Sequence, residues 1–222
     1  MQERIEAVLF DLDGTLTDTL EDIAAAMNDA LASFGLPLWP TDSYRFLVGD
    51  GALRLAERAV RDRQDLRDAV RAAYQARYET HSQIRTRPYE GIPDLLNALE
   101  RASIPMVVFS NKPDADTRAI VSHYFPRISF AAVVGQKPGV PVKPNPEGAL
   151  RIADSLGIPP ARFAYLGDTN VDMRCALRAG MHPLGVTWGF RTAEELLASG
   201  AEALLQKPAD LLPFLNLPVS QT

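Results

Sequence analysis

Two aspartates separated by a single residue follow the first apolar run of the sequence. The run is IEAVLF (5–10), and the segment directly after it, residues 11–18, reads DLDGTLTD. Because only Leu12 lies between them, an extended chain directs the Asp11 and Asp13 carboxylates to the same side. Burying two acidic side chains directly after a strand costs free energy, so their presence there indicates a functional role. Asp11 and Asp13 are therefore the first candidates for catalytic residues.

Three more polar segments carry residue types that complement these acids: SNKP (110–113), KPNP (143–146) and GDTNVD (167–172). Asp168 and Asp172 in the last segment raise the number of carboxylates to four. Four carboxylates repel one another strongly unless a cation lies among them. A site with oxygen ligands only, without His or Cys, favours a hard ion such as Mg²⁺.

The same segments can accommodate a phosphoryl group. Ser110, Lys143 and the main-chain N–H groups near Gly14 offer hydrogen-bond donors and positive charge. One carboxylate can attack phosphorus while a second one moves the proton. Together the residues predict a site for metal-assisted phosphoryl transfer.

The elements that must position these residues are short apolar runs that alternate with helical patterns. The runs are continuous rather than alternating, as expected of strands that are covered on both faces. Helical patterns over 114–124, 145–156, 170–179 and 192–199 separate the later runs, and this alternation predicts an α/β fold with a parallel sheet. Ligands bind such sheets at the carboxyl ends of the strands, where the polar segments lie. The five runs are 5–10, 104–109, 130–134, 162–167 and 182–188.

The stretch from Thr19 to about Arg87 interrupts this alternation because it contains helical periodicity and no strand-like run. One predicted apolar face steps through the chain by three or four residues. We expect a separate small helical domain inserted after the first strand. The predicted face consists of Leu20, Ile23, Met27, Leu31 and Phe34.

The four segments together resemble the four motifs of the haloacid dehalogenase superfamily, in that family's order. The resemblance covers nearly the whole chain and rests on DLDGTLTD (11–18), Ser110, Lys143 and GDTNVD (167–172). It implies a three-layer Rossmann-like core with a parallel sheet, formed by residues 1–18 and 88–222. It also implies that residues 19–87 form a helical cap.

The resemblance implies a role for each catalytic residue. Asp11 would be the nucleophile that forms an aspartyl-phosphate, and Asp13 the acid and base that protonates the leaving oxygen and then activates water. Ser110 would bind the phosphoryl oxygens, and Lys143 would offset negative charge. Lys137 also precedes a proline, but KPNP fits the family pattern and KPG does not.

The implied cofactor is Mg²⁺, held by the Asp11 carboxylate, the Asp13 main-chain carbonyl and Asp168. Asp172 completes the predicted metal site, as a support for the ligands more than as a direct ligand. The predicted phosphate- and substrate-binding residues are Gly14, Thr15, Ser110, Asn111, Lys143 and Arg45.

Within the superfamily, three segments resemble bacterial phosphoglycolate phosphatases, which makes 2-phosphoglycolate the first expected substrate. The segments are VGDGALRLAERAV (48–60), FSNKP (109–113) and GVTWGFR (185–191). Phosphatases of nucleotides and sugar phosphates share this likeness more loosely, and a phosphomutase also stays open. Dehalogenation needs neither a metal nor a second aspartate, whereas Asp13 and Asp168 are both present. A catalytically idle binding module would be free to lose Asp11, Asp13 or Lys143, and none is lost.

A substrate with a carboxylate besides its phosphate requires a cation beyond Lys143. Arg45 in the helical stretch is the candidate, with Lys112 as its rival. Gly49 and Gly51 are expected in a turn that faces the site.

Composition excludes several other classes of protein. The 222 residues carry 23 basic and 28 acidic side chains, so the net charge of −5 does not attract nucleic acid or an anionic membrane. The single cysteine, Cys175, rules out an intramolecular disulfide and a thiol metal cluster. The first residues lack the apolar stretch of a signal peptide, so we expect none, and no apolar run approaches the roughly 18 residues that span a bilayer. We expect a cytoplasmic monomer or homodimer whose partner is a small phosphorylated metabolite.

Overall fold

The computed structural model describes residues 4–218, and six of its strands form one parallel sheet. The order across this sheet is β5-β4-β1-β6-β7-β8, and β2 pairs with β3 in a separate antiparallel ribbon. The strands are β1 (Ala7–Phe10), β2 (Thr17–Asp18), β3 (Arg87–Pro88), β4 (Met106–Pro113), β5 (Ala132–Gln136), β6 (Phe163–Gly167), β7 (His182–Val186) and β8 (Ala203–Leu205).

Helices cover the sheet and fill the segment between β2 and β3. They are α1 (Leu20–Ser33), α2 (Tyr44–Leu47), α3 (Ala52–Ala59), α4 (Arg67–His81), α5 (Ile92–Arg101), α6 (Asp114–Tyr124), α7 (Glu147–Leu156), α8 (Asn170–Ala179) and α9 (Ala193–Ala198). Short 3₁₀ helices lie at Thr41–Ser43, Gln64–Leu66, Pro160–Arg162 and Pro208–Leu215. No helix within residues 4–218 has both the length and the apolar character needed to cross a membrane.

Successive residues of β1 point into two different apolar layers, as the pleat of a strand requires. Val8 and Phe10 pack in a cluster with side chains of α5 and α6. Ala7 and Leu9 pack in another cluster, with side chains of α7 and α8. Both faces of the sheet are therefore buried, which explains why the apolar runs are continuous. The predicted three-layer α/β fold is confirmed.

Each of the five apolar runs overlaps a strand, whereas the strands that the sequence did not predict are short. β8 has only three residues, and β2 and β3 have two each, too few to show a period. The amphipathic helix α5 was also missed, although Leu95, Leu96 and Leu99 form its buried face.

Residues 19–87 form what we call the helical insert, in which α1 to α4 pack around an apolar cluster of their own. The predicted face of α1 is buried except for Phe34, which is 38% exposed because the helix ends at Ser33. The division of the chain into a catalytic core and a cap domain with the stated bounds stays a prediction. Residues 1–3 and 219–222 of the predicted core lie outside the described part of the chain.

A buried carboxylate fixes the point at which the chain leaves the helical insert. Asp22, in the first turn of α1, is 3% exposed. It accepts hydrogen bonds from the main-chain N–H groups of residues 84, 85 and 86 and from the Thr86 hydroxyl, at 2.8 to 3.1 Å. The Thr86 carbonyl accepts a hydrogen bond from Tyr124 Oη of α6 at 2.7 Å. The exit segment is thus bound both to the insert and to the helix layer of the sheet.

Replacing Asp22 by alanine should destabilise the protein by about 2–4 kcal/mol, because buried N–H groups lose a charged acceptor. Asp29, on the same helix, is the matched control: its carboxylate is half-exposed and pairs with Arg77 at the surface. Asp29→Ala should cost less than about 1 kcal/mol. Urea unfolding of both variants measures the difference, and equal losses would show that Asp22 has no special role.

Candidate active site

The predicted catalytic residues meet where the strand order reverses around β1. β4 and β5 lie on one side of β1, and β6 to β8 on the other. In such a sheet a crevice forms at the carboxyl ends of the strands at this point. Asp11 follows β1, Ser110 lies in β4, and Asp168 follows β6, so all three belong to this crevice.

Lys143 lies at the centre of the crevice, and its side chain is 1% exposed. Its Nζ donates to Asp172 Oδ1 at 2.7 Å and to the Phe109 carbonyl at 3.0 Å. The third neighbour is Asp11 Oδ1 at 2.9 Å. The ammonium group therefore directs its positive charge towards two carboxylates and one main-chain oxygen. Lys137 instead lies at the surface near Asp114, so the structure brings Lys143 and not Lys137 beside Asp11.

Three buried carboxylates converge around this ammonium group. Oxygens of Asp11, Asp168 and Asp172 lie within 4.8 Å of one another. Burial and the negative charge of Asp172 raise the pKa of Asp11 to about 7, although Lys143 opposes the shift. Burial and the neighbouring carboxylates also raise the pKa of Asp168 well above its usual range. For Lys143, burial alone would lower the pKa, but Asp11 and Asp172 outweigh it and the pKa rises.

Hydrogen bonds fix the orientation of Asp168 and Asp172 differently. Asp168 accepts from two neutral donors, the Thr15 hydroxyl at 3.1 Å and the Phe190 N–H at 2.8 Å. Asp172 Oδ1 is bound to Lys143, and its Oδ2 accepts from the N–H and hydroxyl of Thr169 in a capping box at the start of α8. Both oxygens of Asp172 are thus engaged within the protein, which favours the supporting role over direct metal ligation.

Two glycines allow the backbone to approach Asp168 closely. Gly14 has a φ of +81°, in the region that favours glycine, and a Cβ there would collide with the Asp168 carboxylate. A Cβ at Gly189 would collide with Asp168 and with the Gly14 carbonyl. A side chain at either position would displace the carboxylate.

The donor set fits a hard divalent cation. Three carboxylates against one ammonium group leave two negative charges uncompensated in a buried site. Among the described residues, Asp11 Oδ2 accepts no hydrogen bond, since the Leu12 N–H and Lys143 both lie on Oδ1. The ligands are oxygen atoms, which Mg²⁺ prefers.

Asp13 is held by two side chains of different elements. Its Oδ1 accepts from the Thr19 hydroxyl at 2.8 Å, and Lys112 Nζ lies 3.0 and 2.9 Å from its two oxygens. Burial would lower the pKa of Lys112, but the charge of Asp13 more than offsets this and the pKa is raised. Sequence reasoning named Lys112 only as an alternative to Arg45 and did not predict its ion pair with Asp13.

A cavity of about 50 Å³ opens between Asp11, Asp13 and the helical insert. One wall comes from β4 and includes Ser110, whose hydroxyl accepts a hydrogen bond from the Lys112 N–H at 3.2 Å. The other wall comes from the insert and includes Gly49 and Gly51, as expected for the glycine turn. The remaining lining residues are Ile23, Val48, Ala52, Leu55, Tyr74, Asn111, Lys112, Pro113 and Phe190.

Three of the predicted phosphate-binding residues have protein partners of their own. The Gly14 N–H donates to the Thr17 carbonyl at 2.8 Å, and the Thr15 hydroxyl is bound to Asp168. The Asn111 amide bridges the main chain of Lys143 and the Gly49 carbonyl. These contacts position Asp168 and Lys143. Phosphate binding by Gly14, Thr15 and Asn111 stays a prediction.

Arg45 does not line the cavity. Its side chain is 44% exposed, and its guanidinium donates to the Gly189 carbonyl at 3.3 Å. The neighbouring Arg191 donates to the carbonyls of Arg45 and Val48 and so binds the insert to the loop after β7. The sequence analysis missed Arg191 and the Phe190 N–H. A signal for them was available in the sequence, because residues 189–191 directly follow the apolar run 182–188, as the other polar segments follow theirs.

Comparison with known proteins agrees with this geometry. Residues 8–186 match the family model described as haloacid dehalogenase-like hydrolase. The chain belongs to this family. It is 32% identical over 220 residues to the N-acetylmuramic acid 6-phosphate phosphatase of Pseudomonas aeruginosa, covering 96% of each chain. It is 30% identical over 241 residues to the phosphoglycolate phosphatase of Shigella boydii, covering 99% of this chain and 96% of the relative.

Solved structures of the family share the fold. A crystal structure from Lactobacillus delbrueckii subsp. bulgaricus, provisionally named a phosphoglycolate phosphatase, superposes with a TM-score of 0.88 at 27% identity. The match covers 94% of this chain and 97% of that one. The protein is thus a haloacid dehalogenase-like phosphatase, and the resemblance found in the sequence is confirmed.

The raised pKa values predict how metal-free protein responds to pH. For Asp11 the folded-state pKa of about 7 exceeds the unfolded value of about 3.9. Folded protein therefore binds more protons than unfolded protein between these values, and stability falls as pH rises through this window. Mg²⁺ at about 100 times its Kd should raise Tm by about 5–10 °C at pH 7.5, and by less at pH 5.

Thermal unfolding in EDTA and in MgCl₂ at both pH values measures this effect. Asp168→Asn removes one of the converging charges and should abolish the increase in Tm that Mg²⁺ causes at pH 7.5. Asp154→Asn, an exposed position on α7, is the matched control and should respond like the wild type. An equal increment in wild type and Asp168→Asn would contradict the assignment of the metal site.

Proposed function

We propose that the protein is a Mg²⁺-dependent phosphomonoesterase that acts through an aspartyl-phosphate on a small phosphorylated metabolite, with 2-phosphoglycolate as the leading substrate. The observation that carries the proposal is the contact between Lys143 and Asp11 inside a cluster of buried carboxylates. It places the Asp11 carboxylate at the cavity with a cation beside it.

The metal would be held by the Asp11 carboxylate, the Asp13 main-chain carbonyl and Asp168, with Asp172 behind them. It would supply positive charge to the phosphoryl oxygens during transfer. Thr15, the Phe190 N–H and the close approach at Gly14 keep Asp168 oriented for this role.

In the first step the Asp11 carboxylate attacks phosphorus and the ester P–O bond breaks. Asp13 gives its proton to the departing oxygen, so an alcohol leaves. In the second step Asp13 takes a proton from water, the water oxygen attacks the aspartyl-phosphate, and inorganic phosphate departs as Asp11 is regenerated. Ser110 binds the phosphoryl oxygens, and Lys143, whose Nζ contacts Asp11, Asp172 and the Phe109 carbonyl, offsets the negative charge that develops.

The size of the cavity favours a small leaving group. On the scale where one water needs at least about 10–15 Å³, a cavity of about 50 Å³ holds only a few waters. Glycolate fits this space better than a nucleoside or an amino sugar. The 32% identity to a phosphatase of N-acetylmuramic acid 6-phosphate makes that ester the second candidate, which would require the insert to open.

Asp11→Asn should reduce turnover by at least about 10⁴-fold, because an amide is a far weaker nucleophile at phosphorus. The fold should persist, since the side chain keeps its size. Phosphate release and circular dichroism measure the two effects. Asp18→Asn is the matched control in the same segment: Asp18 lies near Arg87, outside the cavity wall, and should stay within about fivefold of wild type. Substantial turnover by Asp11→Asn would exclude Asp11 as the nucleophile.

The substrate is tested by phosphate release from a set of esters with and without Mg²⁺. The set contains 2-phosphoglycolate, N-acetylmuramic acid 6-phosphate, nucleoside monophosphates and hexose phosphates. We expect kcat/KM to be at least tenfold higher for 2-phosphoglycolate, about 1.4 kcal/mol of discrimination, and EDTA to abolish activity. A preference for the amino sugar phosphate would instead assign the second candidate, and equal rates on all esters would leave only the phosphatase class.

A further inference from the structure

One buried cation of the site has no part in the chemistry proposed above. Lys112, in β4, has a side chain that is 4% exposed. Its Nζ lies 4.4 Å from the centre of the Tyr78 ring, which belongs to α4 of the helical insert. The charge is thus buried at the boundary between the sheet and the insert, beside the proposed acid Asp13.

Lys112 is the one cationic side chain among the described residues that line the cavity. The insert side of the cavity is mostly apolar, with Ile23, Val48 and Leu55 beside Tyr74. A leaving group therefore meets an apolar wall and a single ammonium group. This combination suits a small organic anion more than a sugar, which would need several polar partners.

Because Lys112 lies beside Asp13, a substrate can contact both residues only if its carboxylate lies close to its ester oxygen. Asp13 must contact the ester oxygen to protonate it, and Lys112 Nζ lies 3.0 and 2.9 Å from the Asp13 oxygens. In the phosphate ester of an α-hydroxy acid, one carbon separates the ester oxygen from the carboxyl carbon, so the two kinds of oxygen lie about 3 Å apart. An ammonium group beside Asp13 can therefore reach that carboxylate while Asp13 contacts the ester oxygen.

We infer that Lys112 binds the carboxylate of the leaving group, so that the site selects phosphomonoesters of α-hydroxy acids. The inference rests on the proposed function and deepens it by naming the substrate class and the residue that recognises it. Arg45, the other candidate, donates to the Gly189 carbonyl, lies 3.9 Å from the Asp42 carboxylate and is outside the cavity wall. Lys112 replaces it as the carboxylate ligand.

A purely structural role for Lys112 would be to hold Asp13 in place. Loss of that contact would affect every substrate alike, because Asp13 acts on every leaving group. Loss of a carboxylate ligand would affect only substrates that carry the carboxylate. The ratio of two substrates therefore separates the two roles.

The experiment compares kcat/KM for 2-phosphoglycolate and for 2-hydroxyethyl phosphate, which has a neutral hydroxymethyl group in place of the carboxylate. Wild type should prefer 2-phosphoglycolate at least tenfold. Lys112→Met should reduce that preference by at least about tenfold, the usual effect of one hydrogen bond to a charged group. Lys112→Arg should keep part of it. Lys137→Met, which removes an exposed lysine, is the matched control and should leave the ratio unchanged.

Circular dichroism verifies folding, and Lys112→Gln replaces Lys112→Met if the latter does not fold. An equal loss on both substrates would overturn the inference and leave Lys112 as a positioning residue for Asp13. A wild type that hydrolyses both esters equally would also overturn it, while the proposed phosphatase function would stand. Absence of phosphate release from any ester would refute the proposed function and the inference with it.

Discussion

The buried ammonium group of Lys143 is the interaction on which the rest of the site depends. Carboxylates that enter a low-dielectric interior repel one another and lose hydration, and both effects favour their neutral forms. Lys143 offsets this for Asp11 and Asp172, and the Phe109 carbonyl accepts its third hydrogen bond. Asp168 instead accepts hydrogen bonds from neutral donors, the Thr15 hydroxyl and the Phe190 N–H. With three carboxylates and one ammonium group, the site lacks two positive charges for neutrality, which a divalent ion supplies.

The backbone around these acids is built to let them come together. Gly14 and Gly189 allow main chain to lie against Asp168 where any Cβ would collide with it. The capping box between Thr169 and Asp172 places Asp172 by the same bonds that begin α8. The contacts that begin α8 therefore also position Asp172, so a substitution that disrupts the start of the helix also displaces this carboxylate.

The helical insert contributes to the site through a small number of bonds at its edges. Asp22 fixes the exit segment, Asn111 reaches the Gly49 carbonyl, and Arg191 binds the carbonyls of Arg45 and Val48. Most of these bonds involve the main chain of the insert, so its side chains stay available to line the cavity. The insert therefore shapes the space for the leaving group, while the residues proposed to act on phosphorus come from the strand ends and from the loop before α7. Lys112, the inferred carboxylate ligand, belongs to β4, so the choice of substrate depends on both the insert and the sheet.

The sequence by itself determined the layered fold, the strand ends and the acids that follow them. Continuous apolar runs and glycine-ended helices are local patterns, and a parallel sheet brings its strand ends to one edge whatever the details of packing. Only the tertiary structure decided which side chains contact one another in the site. Lys112 and Asp13 are far apart in the chain, so their ion pair has no local signature, and the same holds for Arg191 with the Arg45 carbonyl. The sequence favoured Arg45 over its rival Lys112, but the fold places Lys112 at the cavity and Arg45 outside it. Burial and distance depend on how the insert packs on the sheet, which no local pattern shows.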